Sequence, residues 1–207
     1  MYPVVLRLHG KRCAVIGGGA VAHRKAEGLV AAGAIVTIVA PTISPPLRAW
    51  ASSAGVTVEE RAYEPGDLRG AWLAVAATDD PAVQQAVFDD GEGAGVWVNA
   101  ADDPDRCAFF LPAVHRRDPV LLAVSTQGTS PALAGWLRDR LAGALPEQLE
   151  ALIAALSDER RALRAAGRST EDIDWTARID ALLAGLDALS SPPRIARSAV
   201  VRREAGT

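Results

Sequence analysis

A glycine cluster set between an apolar run and a helical pattern constrains this 207-residue chain more than any other feature. Cys13-Ala14-Val15-Ile16 is short and apolar, the mark of a strand buried on both faces. Gly17-Gly18-Gly19 follows. Ala22, Ala26, Leu29 and Val30 then recur at the spacing of one helix face, with Gly33 placed as C-cap. The stretch fits G-x-G-x-x-A in strand–turn–helix order. Gly17 permits a tight turn, Gly19 leaves no Cβ where a pyrophosphate would lie, and Ala22 lets the helix pack close to the sheet. The helix N-terminus offers free N–H groups and partial positive charge to the phosphates. Gly17, Gly18, Gly19, Ala20 and Val21 are therefore candidate cofactor-binding residues; the alternative is a glycine turn with no ligand.

The pattern repeats along the first half. Ile35 to Val39 is a second β-branched run, and residues 45–54 suit a helix. Val56-Thr57-Val58, Leu73-Ala74-Val75-Ala76-Ala77 and Val96-Trp97-Val98 supply three more strands. Asp80 caps a helix opened by Pro81. Strands alternating with helices predict an α/β fold with a doubly wound parallel sheet of the Rossmann type. Beyond it the pattern changes. Residues 109–114 and 120–125 are apolar runs joined by His115-Arg116-Arg117-Asp118-Pro119, and either pair as a hairpin or add to a partner's sheet. After Ser130-Pro131 the chain reads as helix. Leu149, Leu152, Ile153 and Leu156 form one stripe, and Ser169-Thr170-Glu171-Asp172 reads as a capping box for the next, with Ile179, Leu182, Leu183 and Leu186. The expected organisation is a Rossmann NAD-binding domain over 1–112, a dimerisation segment over 113–145, a small helical C-terminal domain over 146–190 and a disordered tail over 191–207.

Composition excludes several function classes. The net charge of −3 gives no basic field for nucleic acid. Lysine supplies only Lys11 and Lys25 of the 22 basic residues. Neither Tyr2 nor Tyr63 has a lysine four residues on, so a Tyr-x-x-x-Lys dyad is absent and Schiff-base chemistry is disfavoured. Cys13 and Cys107 form no CxxC pair, and His9, His23 and His115 have no metal-ligand spacing, so no standing metal site is expected. Residues 2–8 read as a strand rather than a signal peptide, and no apolar run reaches the roughly 20 residues of a membrane span. The expectation is a cytoplasmic protein.

Open α/β sheets bind ligands beyond the carboxyl ends of their strands. Three polar segments fall there: Thr78-Asp79-Asp80, Asn99-Ala100-Ala101-Asp102-Asp103-Pro104 and Ser125-Thr126-Gln127-Gly128-Thr129-Ser130-Pro131. A ribose-binding acid usually follows the glycine motif by about 20 residues. Here the second strand ends in Val39-Ala40-Pro41-Thr42, with neither an acid nor an arginine, so Pro41, Thr42 or backbone groups would meet the ribose and the choice between NAD and NADP stays open. Thr78 and Asp79 complete the cofactor-side candidates. Asp102 is either a catalytic carboxylate or a turn residue before Asp103-Pro104. The hydroxyl loop either cradles an anion or merely caps a helix through Ser130. His115, Arg116, Arg117 and Arg138 either face acidic ligand arms or form solvated charge. His23, with Arg24 and Lys25, is expected on the outer face of the first helix.

On these motifs the sequence resembles the precorrin-2 dehydrogenase / sirohydrochlorin ferrochelatase family, the N-terminal part of siroheme synthases and its stand-alone forms. The matching stretches are Tyr2-Pro3-Val4 through Leu8, Val15 through Lys25, Ala76-Ala77-Thr78-Asp79-Asp80, Val98 through Pro104, and Ala123 through Ala134, in the right order over about residues 2–145. The resemblance implies an oxidoreductase that uses NAD to convert precorrin-2 to sirohydrochlorin. In many members it also implies a lyase that inserts Fe²⁺, as substrate, to give siroheme. It implies a homodimer exchanging the segment after the Rossmann domain, and a stand-alone form without the methyltransferase. It assigns the catalytic role to Asp102, although this chain has Asn99-Ala100-Ala101 where the family has Asn-Val-Val. The candidate substrate-binding residues are Asn99, Ser125, Thr126, Gly128, Thr129, Ser130, His115 and Arg138, and the resemblance puts Thr126 where some members carry a phosphorylatable serine. Three alternatives remain: a dehydrogenase without chelatase activity, a cobalt-chelating role, and a non-enzymatic NAD-sensing module.

Overall fold

The computed structural model describes residues 1–171 and 173–190. Five parallel strands form one sheet: β1 (Arg12–Ile16), β2 (Ile35–Val39), β3 (Thr57–Glu59), β4 (Leu73–Ala76) and β5 (Trp97–Ala100), in the order β3-β2-β1-β4-β5. This is the Rossmann-type sheet that the sequence predicts. The apolar runs are continuous because both faces are covered. Along β1, Cys13 and Val15 join a core with Ala22, Ala26 and Leu29 of α1 (Ala20–Ala31) and Leu47 of α2 (Pro45–Ala54). Ala14 and Ile16 point the other way, into a core with Leu68, Val98 and Val87 of α3 (Pro81–Ala94).

Local chemistry fixes where the helices begin and end. Asp80 accepts hydrogen bonds from the N–H groups of Ala82 (2.8 Å) and Val83 (3.3 Å), with Pro81 in the first turn. Gly33 lies just past α1 at φ 79°, where the Gly33 and Ala34 N–H groups donate back to Val30 and Leu29. At its other end α1 has no side-chain cap and no acid in its first turn.

The chain leaves β1 toward β2 and β3, then crosses back to β4 and β5, which puts a topological switch point between β1 and β4. Hydrogen bonds tie the strand ends into one row. Gly17 N–H donates to Val39 O (2.9 Å), Ala77 N–H to Ile16 O (2.7 Å) and Ala101 N–H to Ala76 O (2.8 Å).

Two compact units emerge, one of residues 1–113 with 124–134 and one of 114–123 with the described residues from 135 onward. In the second, β6 (Ala113–Arg117) and β7 (Val120–Val124) form a two-stranded sheet. The apolar pattern ends the first of these strands at Val114 and leaves 115–119 as the connection. The strand instead runs through His115-Arg116-Arg117, and Asp118-Pro119 alone turns the chain. Arg117 belongs to the strand because its guanidinium has a destination: Glu150 (2.7 Å) and the carbonyls of Pro146 (2.8 Å) and Glu147 (2.7 Å).

Helices α4 (Pro131–Ala142), α5 (Leu149–Ala165) and α6 (Trp175–Ser190) complete the described chain. The capping box expected at Ser169 does not start α6. Asp174 does, accepting from Ala177 N–H at 3.1 Å, while Ser169 only closes a turn onto Glu171 N–H. The tail expected over 191–207 lies outside the described residues. Among the described residues no helix is long and apolar enough to cross a membrane.

Candidate active site

The glycine turn combines two kinds of glycine. A Cβ on Gly17 would lie 2.0 Å from Ala77 O, and Gly17 has φ 139°. A Cβ on Gly18 would lie 1.8 Å from Thr42 O. Both are demanded by the fold itself. Gly19 is different: its φ is −92°, and a Cβ there meets no atom within 4 Å. The protein does not need glycine at 19, yet the space before the uncapped N-terminus of α1 is left clear. That opening, with the free N–H groups of the first turn, suits a phosphate-bearing group. Pro41 and Thr42 are exposed after β2, with no carboxylate in that turn. Thr78 and Asp79 follow β4; Thr78 Oγ1 accepts from Asp80 N–H at 3.3 Å, and Asp79 is exposed.

Beside this turn lies a cleft of about 510 Å³, wholly within the first unit. Helix α1 contributes Val21, Arg24 and Lys25 to its wall. The end of β5 contributes residues 99–104, and the 124–134 segment contributes Ser125, Thr126 and Gly128. Asp102 stands at φ 61°, a left-handed conformation that Asp tolerates better than most side chains. Its carboxylate is exposed and has no hydrogen bond or salt bridge among the described residues. Asp103 differs: Arg106 holds it in an ion pair and also donates to Gln85 at 2.7 Å. Of the two adjacent carboxylates, one braces the turn and one is free in the cleft.

Asn99 is buried, and its amide nitrogen is committed. It donates to Phe109 O at 2.9 Å and to Cys107 Sγ at 3.3 Å, pinning the returning chain against β5. It shapes the wall rather than offering that nitrogen to a ligand. Burial pushes the Cys107 thiol up, with Asp103 adding to the rise, so it stays a neutral wall residue. The hydroxyl loop is largely self-bonded. Thr126 Oγ1 donates to Ser130 O (2.9 Å) and accepts from Ser130 N–H (3.1 Å), while Ser125 Oγ accepts from Gln127 N–H (3.1 Å). Ser130 Oγ accepts from Leu133 N–H at 3.2 Å, the capping role. Thr129 is exposed. His115 and Arg138 belong to the second unit, where Arg138 pairs with Asp139. Arg117, a candidate for acidic ligand arms, is spent on its bonds to Glu150 and the chain before α5. Among the described residues no three His, Cys, Asp or Glu side chains gather as a metal-binding group.

One expectation is overturned. Arg24 and Lys25 line the cleft instead of the outer face of α1. His23 alone turns away, its ring 5.0 Å from Trp50 of α2 and its Nε2 3.5 Å from Glu27. Helical spacing carried the signal: Val21, Arg24 and Lys25 stand at i, i+3 and i+4, adjacent to the face of Ala22, Ala26 and Leu29 that packs on the sheet.

Sheet order, glycine turn and cleft define a dinucleotide-binding protein. Residues 4–113 match the family model described as "Putative NAD(P)-binding". Siroheme synthase 1 of Aeromonas salmonicida is 39% identical over 79% of this chain and 35% of its own length. Siroheme synthase of Citrobacter koseri is 42% identical over 71% of this chain and 32% of its own. The chain thus spans about a third of the length of these curated relatives. A solved structure described as SirC, precorrin-2 dehydrogenase, superposes with a TM-score of 0.65 at 28% identity, over 90% of this chain and 89% of that one. The chain belongs to this "Putative NAD(P)-binding" family, and it is similar to a precorrin-2 dehydrogenase and to about a third of the length of siroheme synthases, the resemblance that the sequence motifs carry.

Proposed function

We propose that the chain oxidises precorrin-2 to sirohydrochlorin with NAD⁺, with Asp102 as the general base. The observation that carries this reading is the free Asp102 carboxylate in the cleft beside the glycine turn, while Asp103 is held by Arg106. Precorrin-2 loses a hydride and a proton in becoming sirohydrochlorin. NAD⁺ supplies the hydride acceptor. The clear space at Gly19 and the first turn of α1 hold its pyrophosphate. Asp102 takes the proton, and Phe110, Pro112 and Val124 offer the macrocycle an apolar wall. NAD is favoured over NADP because the turn after β2 carries no arginine to meet a 2′-phosphate.

The same carboxylate suits metal insertion, since Fe²⁺ must displace two pyrrole protons and a base in the cleft can accept them. Fe²⁺ is then a substrate of a second, chelatase activity. Self-association as a homodimer is part of the proposal, supported by exposed Leu133, Trp136 and Leu141 along α4. The expected setting is the cytoplasm, where the tetrapyrrole substrate and NAD⁺ occur together.

Replacing the base is the test. Asp102→Asn keeps size and removes proton acceptance, so dehydrogenase turnover should fall by about 10²–10⁴-fold while sirohydrochlorin still binds. Asp103→Asn should be far milder in turnover. Near-normal NADH production by Asp102→Asn, or greater damage from Asp103→Asn or Asp79→Asn, would refute the assignment.

A further inference from the structure

Arg24 and Lys25 are the cationic side chains among the residues that line the cleft, and neither has a hydrogen bond or salt bridge among the described residues. Arg24 is exposed at the rim, whereas Lys25 is half-buried, one turn along α1 from Val21. The other lysine of the chain, Lys11, is engaged 4.0 Å over the ring of Trp72. Lys25 shares its wall with Asp102, Asp103 and Cys107, and Asp103 is already taken by Arg106. A partly desolvated ammonium that feels Asp102 only at a distance, with no hydrogen bond or close ion pair, gains when an anion comes to it.

We propose that Lys25 binds a carboxylate arm of the substrate and so orients the macrocycle over Asp102. This rests on the reading of the cleft as the tetrapyrrole site. Three features support it. The ammonium is a compact charge on a flexible four-carbon stem, able to follow an arm that swings as the ring seats. Among the neutral polar groups of the cleft, Asn99 is bonded to Phe109 and Cys107, and Thr126 to Ser130, which leaves Arg24, on the exposed side, as the other group able to meet a carboxylate. Burial and the neighbouring Arg24 pull the Lys25 pKa below the ordinary lysine range, against the opposing pull of Asp102, and an incoming carboxylate would reverse that fall.

Sirohydrochlorin and NAD⁺ binding by the full chain, each titrated separately, test the proposal. Lys25→Met keeps the stem and removes the charge. Losing a charge-assisted contact should weaken sirohydrochlorin binding by roughly 10- to 100-fold, with NAD⁺ affinity held within about twofold. Lys25→Arg should recover most of the loss, and binding by Lys25→Met should respond less steeply to salt. Unchanged sirohydrochlorin affinity in Lys25→Met would overturn the proposal. So would a parallel loss of NAD⁺ affinity, which would assign the ammonium to the pyrophosphate, or a fall in turnover alone. Failure of the unsubstituted chain to bind sirohydrochlorin at all would overturn the reading of the cleft itself, an outcome distinct from failure at Lys25.

Discussion

Gly17 and Gly19 occupy one motif and answer to different constraints, which substitution can separate. Gly17→Ala drives a methyl group into the Ala77 carbonyl at a backbone angle suited to glycine, so the chain should fold poorly or not at all. Gly19→Val starts from a Cβ that meets no atom within 4 Å. It should melt within a few degrees of the unsubstituted chain and lose NAD⁺ binding by calorimetry; retained affinity would sink the dinucleotide assignment. The motif was legible in the sequence because it dictates backbone geometry. The difference between Asp102 and Asp103 was only half legible. Spacing marks both as turn residues, and the arginine that pairs with one of them comes from a 3₁₀ turn at Pro104–Arg106 that sequence periodicity does not announce. Arg24 and Lys25 were misplaced because three consecutive basic residues read as one charged patch, whereas successive positions on a helix diverge by about 100°.

At the scale of elements, the five strands and first three helices could be read from apolar runs and caps because a parallel sheet buries its strands on both faces. The hairpin was harder. His115-Arg116-Arg117 looks like a loop until the carbonyls before α5 are in place to receive Arg117. The start of α6 shows the same limit, since Ser169 and Asp174 both offer a capping oxygen and only the fold chooses between them. Asp80→Ala should cost about 1 kcal/mol by removing the cap of α3, visible as a lower Tm with unchanged NAD⁺ affinity. The loop between β3 and β4 carries a pH-sensitive contact. Arg61 grips Asp67 through two bonds of 2.8 Å and also reaches Glu59. The guanidinium holds the Asp67 carboxyl below its usual range, against burial. A depressed folded-state pKa gives stability that is present above the unfolded value of about 4 and lost as pH falls through the folded value. Asp67→Asn should therefore lower Tm at neutral pH and flatten its acid-side decline. An unchanged slope would show that the contact contributes nothing to acid sensitivity.

The whole molecule joins a dinucleotide-binding sheet to a second unit of hairpin and helices, and Leu133, Trp136 and Leu141 are exposed along α4. Light scattering at micromolar concentration should give the mass of a dimer, and Trp136→Glu should shift it toward monomer. A monomeric mass for the unsubstituted chain would remove assembly from the account. The central claim is chemical, and one measurement reaches it directly: anaerobic incubation of the purified chain with precorrin-2 and NAD⁺, following NADH and sirohydrochlorin together. Both should appear in equal amounts. No NADH above the enzyme-free control, with precorrin-2 left unoxidised, would contradict it.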